Sequence, residues 1–121
     1  MPHTIRIVGD PPLILVTITG DVTRESAVRF NLEATETGEG QGIHRYLFDA
    51  RGARNVEQPS GNFAFANEDL TNIGVDRANR VAMLVDVDDH SHDFVETVAR
   101  NSGHPVTIFR DLAAALDFLK A

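Results

Sequence analysis

The densest set of chemistry-bearing side chains is Asp86-Val87-Asp88-Asp89-His90-Ser91-His92-Asp93, which combines four carboxylates with two imidazoles. Divalent metals take such oxygen and nitrogen donors, so Asp86, Asp88, His90 and His92 are the candidate ligands of a metal-dependent enzyme. The spacing argues for a simpler role. The two histidines lack the His-x-x-x-His separation that places a pair on one helix face, and Asp and Ser ahead of a helix cap its first turn. Capping is the expectation, and no metal or other cofactor is expected. A second group, Asp49, Arg51 and Arg54, follows the apolar run Tyr46-Leu47-Phe48. Planar guanidinium forks there can grip an anion or a partner carboxylate, or can close a salt bridge within the loop, which is the expected outcome. Phe63 and Phe65 stand two apart in a helical stretch and point in different directions. Either an exposed Phe65 beside Ala64 forms a partner-binding surface, or both rings lie between sheet and helix.

Other chemistries find no foothold. Ser60, Ser91 and Ser102 sit in cap or turn contexts without a Gly-x-Ser-x-Gly elbow, and no Gly-rich phosphate loop with a lysine follows a strand. His3, His44 and His104 are isolated, and His44 and His104 read as ordinary surface or half-buried residues. The absence of cysteine removes disulfides, thiolate nucleophiles and iron–sulfur ligation. A net charge of -7 with scattered Lys and Arg disfavours nucleic acid as a partner. No apolar run approaches the roughly 20 residues of a spanning helix, and Met1-Pro2-His3-Thr4 lacks the pattern of a secretory leader. A cytoplasmic location without membrane insertion is expected.

Elements to carry these groups follow from periodicity and turn chemistry. Ile5–Val8 and Leu13–Thr19 read as β-branched strands joined by Gly9-Asp10-Pro11-Pro12 in an antiparallel hairpin. Helical spacing of Val22, Ala27, Phe30 and Ala34 behind Asp21 and Thr23 predicts a first helix that ends in a polar loop at Gly38, Gly40 and Gly42. Tyr46–Phe48 is a short strand. Pro59 and Ser60 open a second helix with Phe63, Ala66, Leu70 and Ile73 on its buried stripe, and Gly74 stops it with Val75 packing back. The continuous apolar run Arg80–Val87 predicts a strand inside the sheet. A third helix over Ser91–Asn101 is expected to bury Phe94, Val95, Val98 and Ala99. Pro105–Phe109 then forms a strand, and Asp111 caps a last helix with Leu112, Ala115, Leu116 and Leu119 on one face. The order ββαβαβαβα makes one α/β domain, residues 1–121, with a mixed five-stranded sheet.

Several of these segments resemble the SpoIIAA-like branch of the STAS domains, the family of bacterial anti-sigma-factor antagonists. They are Gly20-Asp21-Val22-Thr23 entering the first helix, Leu47-Phe48-Asp49-Ala50-Arg51-Gly52 leaving the third strand, Arg80–Val85, and Val106–Leu112 ahead of Ala113–Leu119. The resemblance covers nearly the whole chain. It implies a sheet with parallel strands largely in sequence order, used for docking proteins and in some relatives for apolar or nucleotide ligands. The antagonists carry a phosphorylatable Ser or Thr in the turn after the third strand, whereas this turn reads Asp49-Ala50-Arg51-Gly52-Ala53, so the likeness does not extend to that switch.

The functional expectation is a non-enzymatic regulatory or protein-interaction module of the STAS-like type, its protein partner unidentified. The alternative is a carrier or sensor of a small apolar ligand or lipid, held in a cavity beneath the second helix lined by Phe63, Phe65, Leu70 and Ile73. A homodimer is expected on the ground that Ile14, Val16 and Ile18, or Leu13 and Leu15, lack cover within the chain.

Overall fold

The computed structural model describes residues 3–121; the part of the leader reading that falls on residues 1 and 2 lies outside the described residues. β1 (His3–Val8) and β2 (Leu13–Ile18) pair antiparallel from His3↔Ile18 to Val8↔Leu13. β3 (Arg45–Asp49), β4 (Arg80–Leu84) and β5 (Thr107–Phe109) then add in parallel, giving the sheet order β1-β2-β3-β4-β5. The helices are α1 (Arg24–Gln41), α2 (Pro59–Ala64), α3 (Leu70–Ile73), α4 (Asp93–Asn101) and α5 (Leu112–Lys120). A π-helical turn, Phe65–Asp69, links α2 to α3 without a break.

Strand alternation gives each sheet face its own cover. Ile14, Val16, Ile18, Tyr46 and Phe48 point to one side, with Val81, Met83 and Ile108, and form the main core with residues of α1, the α2–α3 segment and α4. Leu13, Leu47, Ala82 and Leu84 point to the other and meet Ala115 and Leu119 of α5. β4 is therefore an interior strand covered on both sides, as its apolar run implies. The hairpin residues proposed to lack cover do not: Ile14, Val16, Ile18 and Leu13 are buried within the chain, and Leu15 is half-buried. The reason is that α1 and α5 lie on opposite faces, so the uncovered-face argument for a dimer falls.

Three helical details depart from the sequence pattern. α1 does not end at Gly38 but runs to Gln41, where Gly42, at φ 67°, donates its N–H to the Gly38 carbonyl as a left-handed cap. Gly38 is required by packing, because a Cβ there would overlap the Tyr46 hydroxyl and lie 2.7 Å from its Cζ. A Cβ added at Gly40 would meet nothing within 4 Å beyond its own helix backbone. Second, the stripe Phe63, Ala66, Leu70, Ile73 is broken. In the π turn the Leu70 N–H reaches back five residues to the Phe65 carbonyl, and this extra residue rotates Phe65 inward while Phe63 is left 56% exposed. Third, Phe94 and Leu112 are exposed rather than buried, since each sits in the first turn of its helix, beyond the reach of the sheet. The start of α1 and of α5 match expectation. Thr23 and Ser26 form a reciprocal capping box, and Asp111 accepts from the Ala114 N–H at 3.0 Å.

The two α1 glycines give a paired prediction. Gly38→Ala forces the buried Tyr46 ring to move and is expected to cost ~1–3 kcal/mol by overpacking. Gly40→Ala removes only backbone freedom and is expected to stabilise by up to ~1 kcal/mol. Urea unfolding of the two variants measures the contrast; equal shifts would show that Tyr46 does not dictate Gly38.

Candidate functional site

The polar residues at the C-terminal ends of β3 and β4 are brought near one another but spend their groups on structuring loops. Arg51 donates to Asp49 through Nε at 2.9 Å and a terminal nitrogen at 2.8 Å, a bidentate pair between neighbours in one turn. That hydrogen-bonded guanidinium holds the Asp49 carboxyl below its ordinary range, against the opposing effect of burial. Arg54 projects into solvent, 4.0 Å from Asp89. Asp86 accepts from the Gly52 N–H at 2.6 Å, and Asp89 accepts from the Ser91 N–H at 2.9 Å. Burial pushes the Asp89 carboxyl upward, but the hydrogen bonds from Ser91 and the neighbouring charge of Arg54 outweigh it and hold it below its ordinary range.

The four metal candidates part company here. His92 is buried, and its Nε2–H donates to the Ala53 carbonyl at 2.8 Å, which sets the tautomer and turns the ring under the β3 loop. His90 stands in solvent against Asp93 at 3.0 Å, and Asp88 is exposed. Among the described residues no three His, Asp or Glu side chains converge on a common point. Asp86, Asp88, His90 and His92 are therefore not assembled into one ligand set.

A concave feature lies elsewhere, between the sheet and the helical layer of α1 to α4. A cavity runs beneath the π turn, walled by Phe30 of α1, Phe48 of β3, Phe65 and Leu70 of the bridging helix, Met83 of β4 and Ile108 of β5. Some 90 Å³ of it is open to the centre of a water-sized sphere, several times the roughly 10–15 Å³ that one water requires on the same measure. The covering helix is held over it by polar ties at its edge. Arg24 grips Asp69 with bonds of 2.7 and 3.0 Å, Asn55 donates to Asn62 at 2.9 Å, and Ser102 donates to Asn67 at 2.7 Å. Of the residues proposed to line a cavity under this helix, Phe65 and Leu70 do so, whereas Phe63 and Ile73 do not. Neither alternative for the two rings, an exposed Phe65 or both rings between sheet and helix, is what the fold forms: Phe65 is the inward ring and Phe63 the outward one.

The sequence pattern missed His104. It reads as a surface or half-buried residue ahead of β5, yet it is 3% exposed and lines the cavity. Its backbone N–H closes the C-terminus of α4 on the Ala99 carbonyl at 2.9 Å, which turns the side chain inward. Both ring nitrogens are buried without a hydrogen-bond partner among the described residues. Burial, and then the charge of Arg77, holds the ring below the usual 6.5. The one sequence signal was position: a polar residue between helix stop Ser102-Gly103 and an apolar strand has nowhere to go but the layer between them.

With this geometry fixed, comparison with solved structures decides the fold. Over 97% of this chain and 94% of the other, the structure superposes with a TM-score of 0.57 and 18% identity on an uncharacterised protein of the DUF3478 family from Shewanella loihica PV-4, a protein with a SpoIIAA-like fold. The chain has a SpoIIAA-like fold. No family model matches the sequence, and no curated protein matches it. Within the SpoIIAA-like fold seen here, the turn after β3 carries the Asp49–Arg51 pair rather than a hydroxyl. Among the described residues no helix is long and apolar enough to cross a membrane.

A pH dependence follows from His104. The unfolded chain takes up a proton near 6.5, whereas the buried ring resists it, so the unfolded state binds more protons as pH falls. The contribution of neutral His104 is present above 6.5 and is lost as pH falls through 6.5 toward the folded value. Thermal unfolding between about pH 7 and pH 5 is expected to show a smaller loss of Tm in His104→Gln than in the wild type. Parallel curves would contradict the burial of a neutral ring.

Proposed function

We propose that this protein is a non-catalytic carrier or sensor of a small, mainly apolar molecule, bound in the cavity between the sheet and the α1–α4 layer. The observation that carries this reading is the cavity itself: a space walled by Phe30, Phe48, Phe65, Leu70, Met83 and Ile108 presents a predominantly apolar surface, as a small-molecule site does, with polar residues such as Asn31, Asn62, Asp76 and His104 among its lining. Hydrophobic transfer supplies the affinity, at about 25 cal/mol per Å² of apolar surface removed from water. The covering helix supplies the entry route, since side-chain ties such as Arg24–Asp69 and Asn67–Ser102 can open without unzipping a sheet ladder. Among the strand-end groups, Asp49, Arg51, Asp86, Asp89 and His92 are committed to loop contacts, and Arg54 and Asp88 stand apart in solvent, so the set supports no competing catalytic reading.

A protein-docking role is the second reading, favoured by the solvent-facing Phe63 ring and by Val56 in the loop before its helix, both exposed. The two readings are compatible, because Phe63 rides on the same helix that covers the cavity. A partner gripping that helix would sense whether the space beneath it is filled.

Filling the cavity tests the carrier reading. Ala99 is buried on the α4 wall, and Ala99→Phe places a ring in the space a ligand would take. Titration with 1-aminoanthracene, a neutral fluorophore that brightens in apolar surroundings, is expected to show saturable one-to-one binding to the wild type. Ala99→Phe is expected to weaken it by about tenfold or more, an energy of about 1.4 kcal/mol. Ala114→Phe, on the exposed side of α5, is expected to leave it unchanged. Equal affinities in all three would move binding out of the cavity.

A further inference from the structure

We infer that the cavity's occupant is an uncharged, alcohol-class amphiphile, with its hydroxyl held by His104 and its apolar body lying toward Phe30, Phe48 and Met83. This rests on the carrier reading above and adds the chemical class of the ligand.

The inference begins with an unfinished hydrogen-bond account. Buried polar atoms in folded proteins find partners, and one left without costs about 1–3 kcal/mol. His104 leaves two such atoms, Nδ1 and Nε2, and the residue is among those that line the cavity. Neighbouring polar groups at this end are already engaged with one another. Continuing the β3–β4 and β4–β5 registers by the residues ahead of each strand sets His44, Asn79 and His104 at one level. There His44 Nδ1 pairs with Asn79 Oδ1 at 3.1 Å, and neither nitrogen of the His104 ring has a partner.

The state of the ring selects the chemistry. A neutral imidazole presents one N–H donor and one lone-pair acceptor, and a hydroxyl is complementary to either. An alkane satisfies neither. A carboxylate needs a positive counter-charge, and the lining at this end offers none: Asp76 lines it with a negative charge, while Arg77, whose charge reaches His104 from outside the lining, donates to the Thr71 hydroxyl and the Ser102 carbonyl. Arg24, the cation among the described lining residues, is held by Asp69, and Glu96 accepts from the Ile108 N–H at 2.7 Å. Desolvating an anion beside Asp76 would cost more than one hydrogen bond returns.

Calorimetry on the full chain with octan-1-ol, nonane and octanoate provides the test. Octan-1-ol is expected to bind about tenfold more tightly than nonane or octanoate, the worth of one net hydrogen bond. His104→Phe is expected to abolish the preference for octan-1-ol over nonane, and His104→Gln, which keeps a donor and an acceptor, to restore part of it. Equal binding of octan-1-ol and nonane to the wild type, or tightest binding of octanoate, would overturn the inference and leave the carrier reading standing. Binding of none of the three would overturn both. Should His104→Phe fail to fold, the ring ¹⁵N resonances of wild-type His104 decide: displacement toward hydrogen-bonded values on adding octan-1-ol supports the inference, and unchanged resonances at saturation overturn it.

Discussion

One backbone hydrogen bond, from the Leu70 N–H to the Phe65 carbonyl five residues earlier, governs how the helical layer meets the sheet. The extra residue it encloses brings Phe65, Ala66 and Leu70 to the inner face of a segment whose regular continuation would have turned Phe63 inward. The same re-phasing places Asp69 within reach of the Arg24 fork on α1, with both bonds formed. A regular helix of the same length would present a different stripe to the sheet. The cavity and its polar-edged cover are thus two consequences of one local insertion.

The two sheet faces are used for different ends. Toward α5 the packing is closed: Ala82, Ala115 and Leu119 have no exposed surface, and Leu84 has almost none. This face holds the strands in register and contributes stability through dense apolar contact. Toward α1–α4 Phe30 and Phe48 meet with centroids 5.8 Å apart, tilted by 50°, Tyr46 stacks on Phe48 at 17°, and these rings with Phe65 do not fill the layer. The closed packing against α5 and the open space under the α1–α4 layer thus lie on opposite sides of the sheet.

Much of this was legible in the sequence where the governing physics is local. The Gly74 stop, with Val75 donating back to Leu70, the Asp111 cap, the Thr23 cap and the apolar β4 run each follow from residues within a few positions of one another. The misses share a cause in residues distant along the chain. Gly38 reads as a helix breaker until the Tyr46 hydroxyl is seen against it, and Phe63 reads as core until the π turn re-phases its helix. His104 reads as an ordinary loop residue until α4 and β5 close around it. For the candidate site the pattern identified Phe65 and Leu70 as lining residues but gave Asp49, Arg51 and the Asp86–Asp93 cluster a prominence that their loop hydrogen bonds absorb. Composition reports which residues can do chemistry; only the packing reports which are left with an unmet need.

The central claim is that the space under the α1–α4 layer holds an apolar molecule. Intermolecular nuclear Overhauser effects between bound 1-aminoanthracene and methyl-labelled protein test it most directly. The account predicts contacts to the methyl groups of Met83, Val81, Val95 and Ile108, which lie on the cavity side of the sheet, and none to those of Leu13, Leu84 or Leu119 on the α5 side. Contacts confined to the α5 side, or to the exposed Val56 methyl groups without any to Met83 and Ile108, would contradict it.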